Sequence, residues 1–315
     1  MEIILYGNVV THMYLGLNAV MRSGGHPQRS MAMTILTVIL NAILDPIFIF
    51  VLDWGIRGAA IATILAQIVA LTWILISFTN KQEMLHFESG IFKLDRRIVT
   101  ASLSIGMAPF LMNVAACVIV IFINNGLQQH GGDLAIGAYG IVNRITFIFV
   151  MVVMGLNQGM QPIAGYNYGA RNIDRMLGVL KLTIVWATVI MTAGFAICEF
   201  MPGLIARIFT SDEELIARSV RGMRIVAVFF PIIGMQMVTG NFFQSIGMAR
   251  QAIFLSLTRQ LIFLLPCLIV LPRFFGADGV WASLPTADLL SWIVSVSVLM
   301  YYLRRFKQGK IEYKI

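Results

Sequence analysis

Nine stretches of this chain stay apolar for about 20 residues or more, the length a helix needs to cross about 30 Å of hydrocarbon. They run near 3–21, 31–52, 58–79, 98–126, 134–164, 177–206, 222–247, 252–272 and 279–303. Lipid offers no hydrogen-bond partners to a bare backbone, so only helices and closed barrels span it. Barrel strands would alternate apolar and polar residues, and these runs do not. The expected fold class is therefore an all-α integral membrane protein, a polytopic bundle of about nine transmembrane helices. Composition agrees: 12% of the 315 residues are charged and 58% are hydrophobic, where a soluble domain carries about 25% charged residues.

The net charge of +8 reads as topology and not as a nucleic-acid footprint. Of the 23 Lys and Arg, Arg144 and Arg259 fall inside spans. Arg57, Arg207, Arg218, Arg221, Arg224 and Arg273 sit in loops on one side, and the remaining fifteen, Lys81, Lys310 and Lys314 among them, on the other. Basic residues concentrate in cytoplasmic loops, which places the C-terminus in the cytoplasm and, with nine spans, the N-terminus outside. Cys117, Cys198 and Cys267 all lie within apolar runs without metal-ligand spacing and read as small buried hydrophobes. The first residues carry Glu2 but no basic n-region of a signal peptide.

A faint repeat organises the chain. Ser23 and Gly25 match Ser245 and Gly247 at an offset of 222, and Gly55 and Gly58 match Gly276 and Gly279 at 221. Transporters are commonly built of such repeats, with the substrate path between halves, and the helices at 98–206 would then have counterparts about 120 residues upstream of Met1. The expectation is a twelve-helix, two-lobe fold of six plus six helices, of which this chain holds a part. Residues 1–97 read as the last three helices of an N-terminal lobe with the inter-lobe loop. Residues 98–315 read as a complete six-helix C-terminal lobe with a cytoplasmic tail.

Ionisable groups inside spans are the natural functional candidates, because each costs a few kcal/mol unless paired or solvated. Asp45, Arg144, Arg259 and Asp288 are the ones well inside. Asn41 lies one turn before Asp45 on the same helix face. Pro46 follows and interrupts the backbone ladder there, freeing a carbonyl near the carboxylate. A desolvated carboxylate takes up a proton or a cation and releases it when its site opens to water. Asp288 and Arg259 sit on successive helices and read equally as a structural ion pair or as a second ion-coupling site. Gln158 and Gln161, before Pro162, are candidate cavity-lining groups. Arg144 either faces that cavity or reaches for a headgroup or a neighbouring helix. The 19 methionines suit a promiscuous surface but are also ordinary filler between helices. Ser211-Asp-Glu-Glu214 has capping-box spacing and reads as the start of the helix leading into span 222–247. No phosphate loop, zinc motif or nucleophile elbow is present, so an enzyme is not expected.

Several stretches resemble the multidrug and toxic compound extrusion (MATE) family, most of all its bacterial branch. They are Asn41-Ala-Ile-Leu-Asp-Pro-Ile-Phe-Ile-Phe, Gly55-Ile-Arg-Gly-Ala-Ala-Ile-Ala-Thr, and Gln158-Gly-Met-Gln-Pro-Ile-Ala-Gly-Tyr-Asn-Tyr-Gly-Ala-Arg-Asn. A further stretch, Arg259-Gln-Leu-Ile-Phe-Leu-Leu-Pro, leads into Gly279-Val-Trp and Ala287-Asp. The resemblance implies a secondary antiporter in a bacterial cytoplasmic membrane, exporting drug-like, often cationic compounds against protons or sodium ions. It implies no cofactor beyond the coupling ion, small organic substrates and membrane lipids as partners, no nucleic acid, and a monomer. It also makes Asn41, Asp45 and Thr63 members of a cation site whose other acidic residue lies on a helix this chain lacks. Alternatives are a lipid-linked oligosaccharide flippase of related fold, which would carry more cavity cations than Arg144 and Arg259, and a transporter fragment without activity of its own.

Overall fold

The computed structural model describes residues 2–80, 85–88, 90 and 93–308. Three of the fifteen basic residues on the more basic side, Lys81, Lys310 and Lys314, lie outside them. Every regular element among the described residues is helical. The chain divides into two compact units, Met1–Asp95 and Arg96–Ile315.

The first unit holds α1 (Glu2–Ser23), α2 (Pro27–Pro46) and α3 (Gly55–Thr79), each packed on the other two. Its core is Tyr14, Met21, Met33, Ala70, Leu71, Ile74 and Phe78. Proline at position 46 has no N–H to give the carbonyl of Ala42, and the helix continues from there as a π-helical turn, Ile47–Val51.

The second unit holds α4 (Arg96–Gly169), α5 (Ile173–Phe200), α6 (Pro202–Phe209), α7 (Glu213–Ala227), α8 (Phe230–Ser245), α9 (Ala249–Leu257), α10 (Leu265–Phe275) and α11 (Ala277–Lys307). A π-helical segment, Thr258–Leu264, joins α9 to α10 without a break. One continuous apolar core runs through it, with Phe230, Phe242 and Phe243 fully buried at its centre. At 74 residues, α4 would be about 110 Å long, far more than one bilayer. It breaks at Gly132, where φ is 68° and ψ is −166°, so it supplies two spans. The connection between these two spans is thus a single non-helical residue.

Among the described residues, seven helices are long and apolar enough to cross a membrane, and the α7–α8 pair, bent by 56°, passes the same test jointly. Counting α4 as two, the described residues supply the nine expected spans. Two details differ from expectation. The span expected over 222–247 is not one straight helix but α7 and α8, bent where Pro231 enters the first turn of α8. The N-cap of α7 is Asp212, which accepts from Glu214 N at 2.9 Å and Leu215 N at 3.3 Å. Ser211 is not the cap, because Asp212 one residue later places its carboxylate over the same free N–H groups.

The repeat has a physical basis. Gly25 and Gly247 both have positive φ (90° and 76°), as do Gly55 and Gly276 (52° and 58°). At Gly58 a Cβ would collide with the carbonyl of Phe48, and at Gly279 with that of Leu271. The matched glycines therefore make the same turns and the same close approach in each unit, conditions that other residues meet only with strain.

Within the spans most hydroxyls are tied to their own helix. Thr37 donates to Met33 O at 2.8 Å, Thr63 to Ala59 O at 2.9 Å, Thr183 to Val179 O at 2.8 Å and Ser283 to Gly279 O at 2.7 Å.

Candidate functional site

Ser30, Thr34, Thr37, Asn41 and Asp45 follow one another on α2 at spacings of four, three, four and four, so they share one face of the helix. At the end of this row, beside the π-helical turn, Asn41 Nδ2 donates to Asp45 Oδ1 at 3.0 Å and to Thr63 Oγ1 of α3 at 3.3 Å. The Thr63 hydroxyl donates to Ala59 O, so its lone pairs face Asn41. The structure thus brings together the three residues expected to form a cation site. Asp45 Oδ2 and Asn41 Oδ1 have no hydrogen-bond partner among the described residues. The cluster offers a carboxylate, an amide oxygen and a hydroxyl, all hard oxygen donors of the kind that hold an alkali cation, and the carboxylate alone can hold a proton.

The rest of the row was not singled out in the sequence. Thr37 Oγ1 lies 3.3 Å from Tyr14 OH, Asn18 Nδ2 donates to Thr34 Oγ1 at 3.1 Å, and Thr11 Oγ1 to Gln67 Oε1 at 2.6 Å. Polar residues recurring at three- and four-residue intervals along an apolar helix were the available signal.

In the second unit Arg259 Nε and Asp288 Oδ1 are 2.6 Å apart. The pair is lopsided: the Asp288 side chain is 3% exposed and that of Arg259 34%. Tyr139 of α4 lies within electrostatic reach of Arg259, and its ring packs 6.0 Å from that of Trp281. The expected juxtaposition of Asp288 and Arg259 is present.

The three residues expected to line a substrate cavity do not gather in one place. Gln161 Nε2 donates to Asn241 Oδ1 of α8 at 3.2 Å, and Gln158 is exposed. Arg144, also exposed, is fourteen residues before Gln158, about 21 Å along the same helix. It makes no ion pair among the described residues. Asn157, one turn before Gln161, is buried with neither amide atom partnered among the described residues, a polar group the sequence reading passed over. Of the methionines considered for a binding surface, Met107, Met112, Met151 and Met154 are exposed, whereas Met160 is core.

Comparison with known proteins adds three findings. A sequence profile of the MatE family matches residues 104–269. The multidrug export protein MepA of Staphylococcus aureus is 29% identical over 287 residues, covering 90% of this chain and 62% of that protein. The chain thus spans about 62% of the length of the curated relatives it matches. Among solved structures, the MATE multidrug transporter DinF-BH, solved as a ligand complex, is 36% identical, with a TM-score of 0.86, over 96% of this chain and 68% of that one. A MATE crystal structure in complex with MaL6 shares the fold with a TM-score of 0.90 at 24% identity, over 97% of this chain and 69% of that one.

Proposed function

The chain belongs to the MatE family, and on that premise we propose that it works as a secondary antiporter, exporting drug-like organic compounds in exchange for protons or sodium ions. The Asn41–Asp45–Thr63 cluster carries this reading, because it is a carboxylate set in a membrane-spanning helix and surrounded by oxygen donors. A lone carboxylate at that depth costs a few kcal/mol, and a proton or sodium ion removes the cost. Ion entry therefore favours the conformation in which the cluster is closed from water, and ion release favours the one in which it is open. A drug that binds the opposite conformation is exported as the ion flows inward, since both ligands bias one equilibrium. Asn41 holds the Asp45 carboxylate toward α3, so that Thr63 completes the oxygen set. The membrane is the bacterial cytoplasmic membrane, with the C-terminus on its inner side, in keeping with the basic bias of alternate loops.

The test uses the protein reconstituted in liposomes. With a fluorescent cationic rhodamine dye as probe, an imposed proton or sodium gradient drives its accumulation on the exit side. Asp45→Asn abolishes that movement while dye binding in detergent persists, since asparagine keeps size and hydrogen bonding but removes the titratable charge. Unchanged gradient-driven movement in the Asn variant would place coupling elsewhere.

A further inference from the structure

On α11 the hydroxyls divide into two sets. Ser283, Thr286 and Ser297 each donate to the carbonyl four residues before, at 2.7, 2.7 and 2.8 Å. Ser291 and Ser295 are both fully buried and make no such bond among the described residues. Ser291 Oγ instead accepts from Gln236 Nε2 of α8 at 2.5 Å. Gln236 Oε1 and Ser295 Oγ are buried with no partner at all among the described residues. Turning the Gln236 amide over would only exchange which of its two atoms is left bare.

Asp288, Ser291 and Ser295 recur at three and four residues, so they lie on one face of α11, about 10 Å from first to last. Gln236 sits opposite the middle of that row. The site therefore combines the Asp288 carboxylate and the Gln236 amide oxygen, which accept, with two hydroxyls, each free to donate. Buried polar atoms are almost always satisfied, by protein or by ordered water. Arg259 already neutralises Asp288, so no net negative charge is left there to hold a cation. A mixture of donors and acceptors beside a neutral pair is what water matches.

We propose that ordered water occupies the space between Asp288, Ser291 and Ser295 of α11 and Gln236 of α8, and that it gives the Asp288 carboxylate a route for proton exchange from within the unit. The groups that face Asp288 are few. The π-helical segment contributes Arg259, α4 contributes Tyr139, whose ring packs on Trp281 two turns before Asp288, and α8 carries no charged residue; Arg250 of α9 and Cys267 and Arg273 of α10 lie eight or more residues from Arg259 along the chain. The charge on α7 nearest this helix, Arg221, is taken up by Asp278, ten residues and about 15 Å away along α11. Water thus supplies protons to a carboxylate that protein groups alone hold as half of an ion pair.

Two measurements on the reconstituted 315-residue protein decide this, and neither depends on drug efflux. The first is the melting temperature of Ser295→Ala. In a dry site the substitution removes an unsatisfied hydroxyl and raises the melting temperature; in a watered site it removes a hydrogen bond and lowers it. The second is infrared spectroscopy at acid pH, where the carbonyl band lost in Asp288→Asn identifies protonated Asp288. Transfer to heavy water shifts that band promptly in the parent protein. In the Ser291→Ala, Ser295→Ala double variant the shift slows about tenfold, the factor that one hydrogen bond of about 1.4 kcal/mol sets. A higher melting temperature for Ser295→Ala, or an Asp288 band whose exchange is unchanged in the double variant, overturns the proposal.

Discussion

Removing one member of the Arg259–Asp288 pair should have unequal consequences depending on which is removed. Asp288 is 3% exposed and Arg259 34%, so the two orphans left behind differ in access to solvent. Arg259→Met keeps most of the side-chain volume but strands a buried carboxylate, and breaking a buried pair in this way costs about 3–5 kcal/mol. Water beside Asp288, as proposed above, puts the value near the lower end. Asp288→Asn leaves a neutral acceptor for Arg259, whose side chain keeps a third of its exposure, and the loss is then that of a charge-assisted hydrogen bond in a partly solvated setting, about 1–2 kcal/mol. Replacing both, Arg259→Met with Asp288→Leu, removes the desolvation cost together with the attraction and should return the protein to within about 1 kcal/mol of the parent. Equilibrium unfolding in mixed detergent micelles reads all three differences. Equal costs for the two single variants, or a double variant worse than Arg259→Met, would refute the reasoning from exposure.

Other outcomes follow from the helix joints. Gly58→Ala and Gly279→Ala should each destabilise by about 1–3 kcal/mol in the same unfolding assay, since the added Cβ meets backbone carbonyls and overpacking costs about that much. Asp212→Ala should cost about 1 kcal/mol while Ser211→Ala stays within about 0.5 kcal/mol, as only the former is the cap of α7. A reporter fused after Tyr313 should read cytoplasmic and one fused at Gly132 external; the opposite pair of signals would reverse the topology.

Much of the architecture was legible because lipid admits so few solutions. A run of about 20 apolar residues in such a chain has to be a helix, and an Asn four residues before an Asp on that helix has to share its face. Thr63 was reached through family resemblance, since nothing local to α3 says which way it faces. The pairs Thr11–Gln67, Gln161–Asn241 and Gln236–Ser291 were not legible. Their partners are 56, 80 and 55 residues apart, and whether they meet depends on how each helix is rotated about its axis. That rotation is set by the whole interface and not by either residue. Arg144 was grouped with Gln158 and Gln161 because all are polar residues in one span, but distance along the helix separates them. The choice of Asp212 over Ser211 turned on which of two adjacent side chains lies over the free N–H groups of α7, and the bend between α7 and α8 on a proline inside an otherwise unbroken apolar run.

The hydroxyls bonded to carbonyls of their own helices have a consequence for biosynthesis. A nascent segment meets the bilayer before its neighbours are made, and every polar group it carries then counts against entry. Thr37, Thr63, Thr183 and Ser283 arrive with their donors already engaged within the segment, so each helix is greasier to the membrane than its composition suggests. Ser291 and Ser295 do not. The cost of Ser291 is carried by α11 from insertion until α8 brings Gln236 alongside, which gives α11 a reason to leave the lipid and dock onto a helix that was there before it.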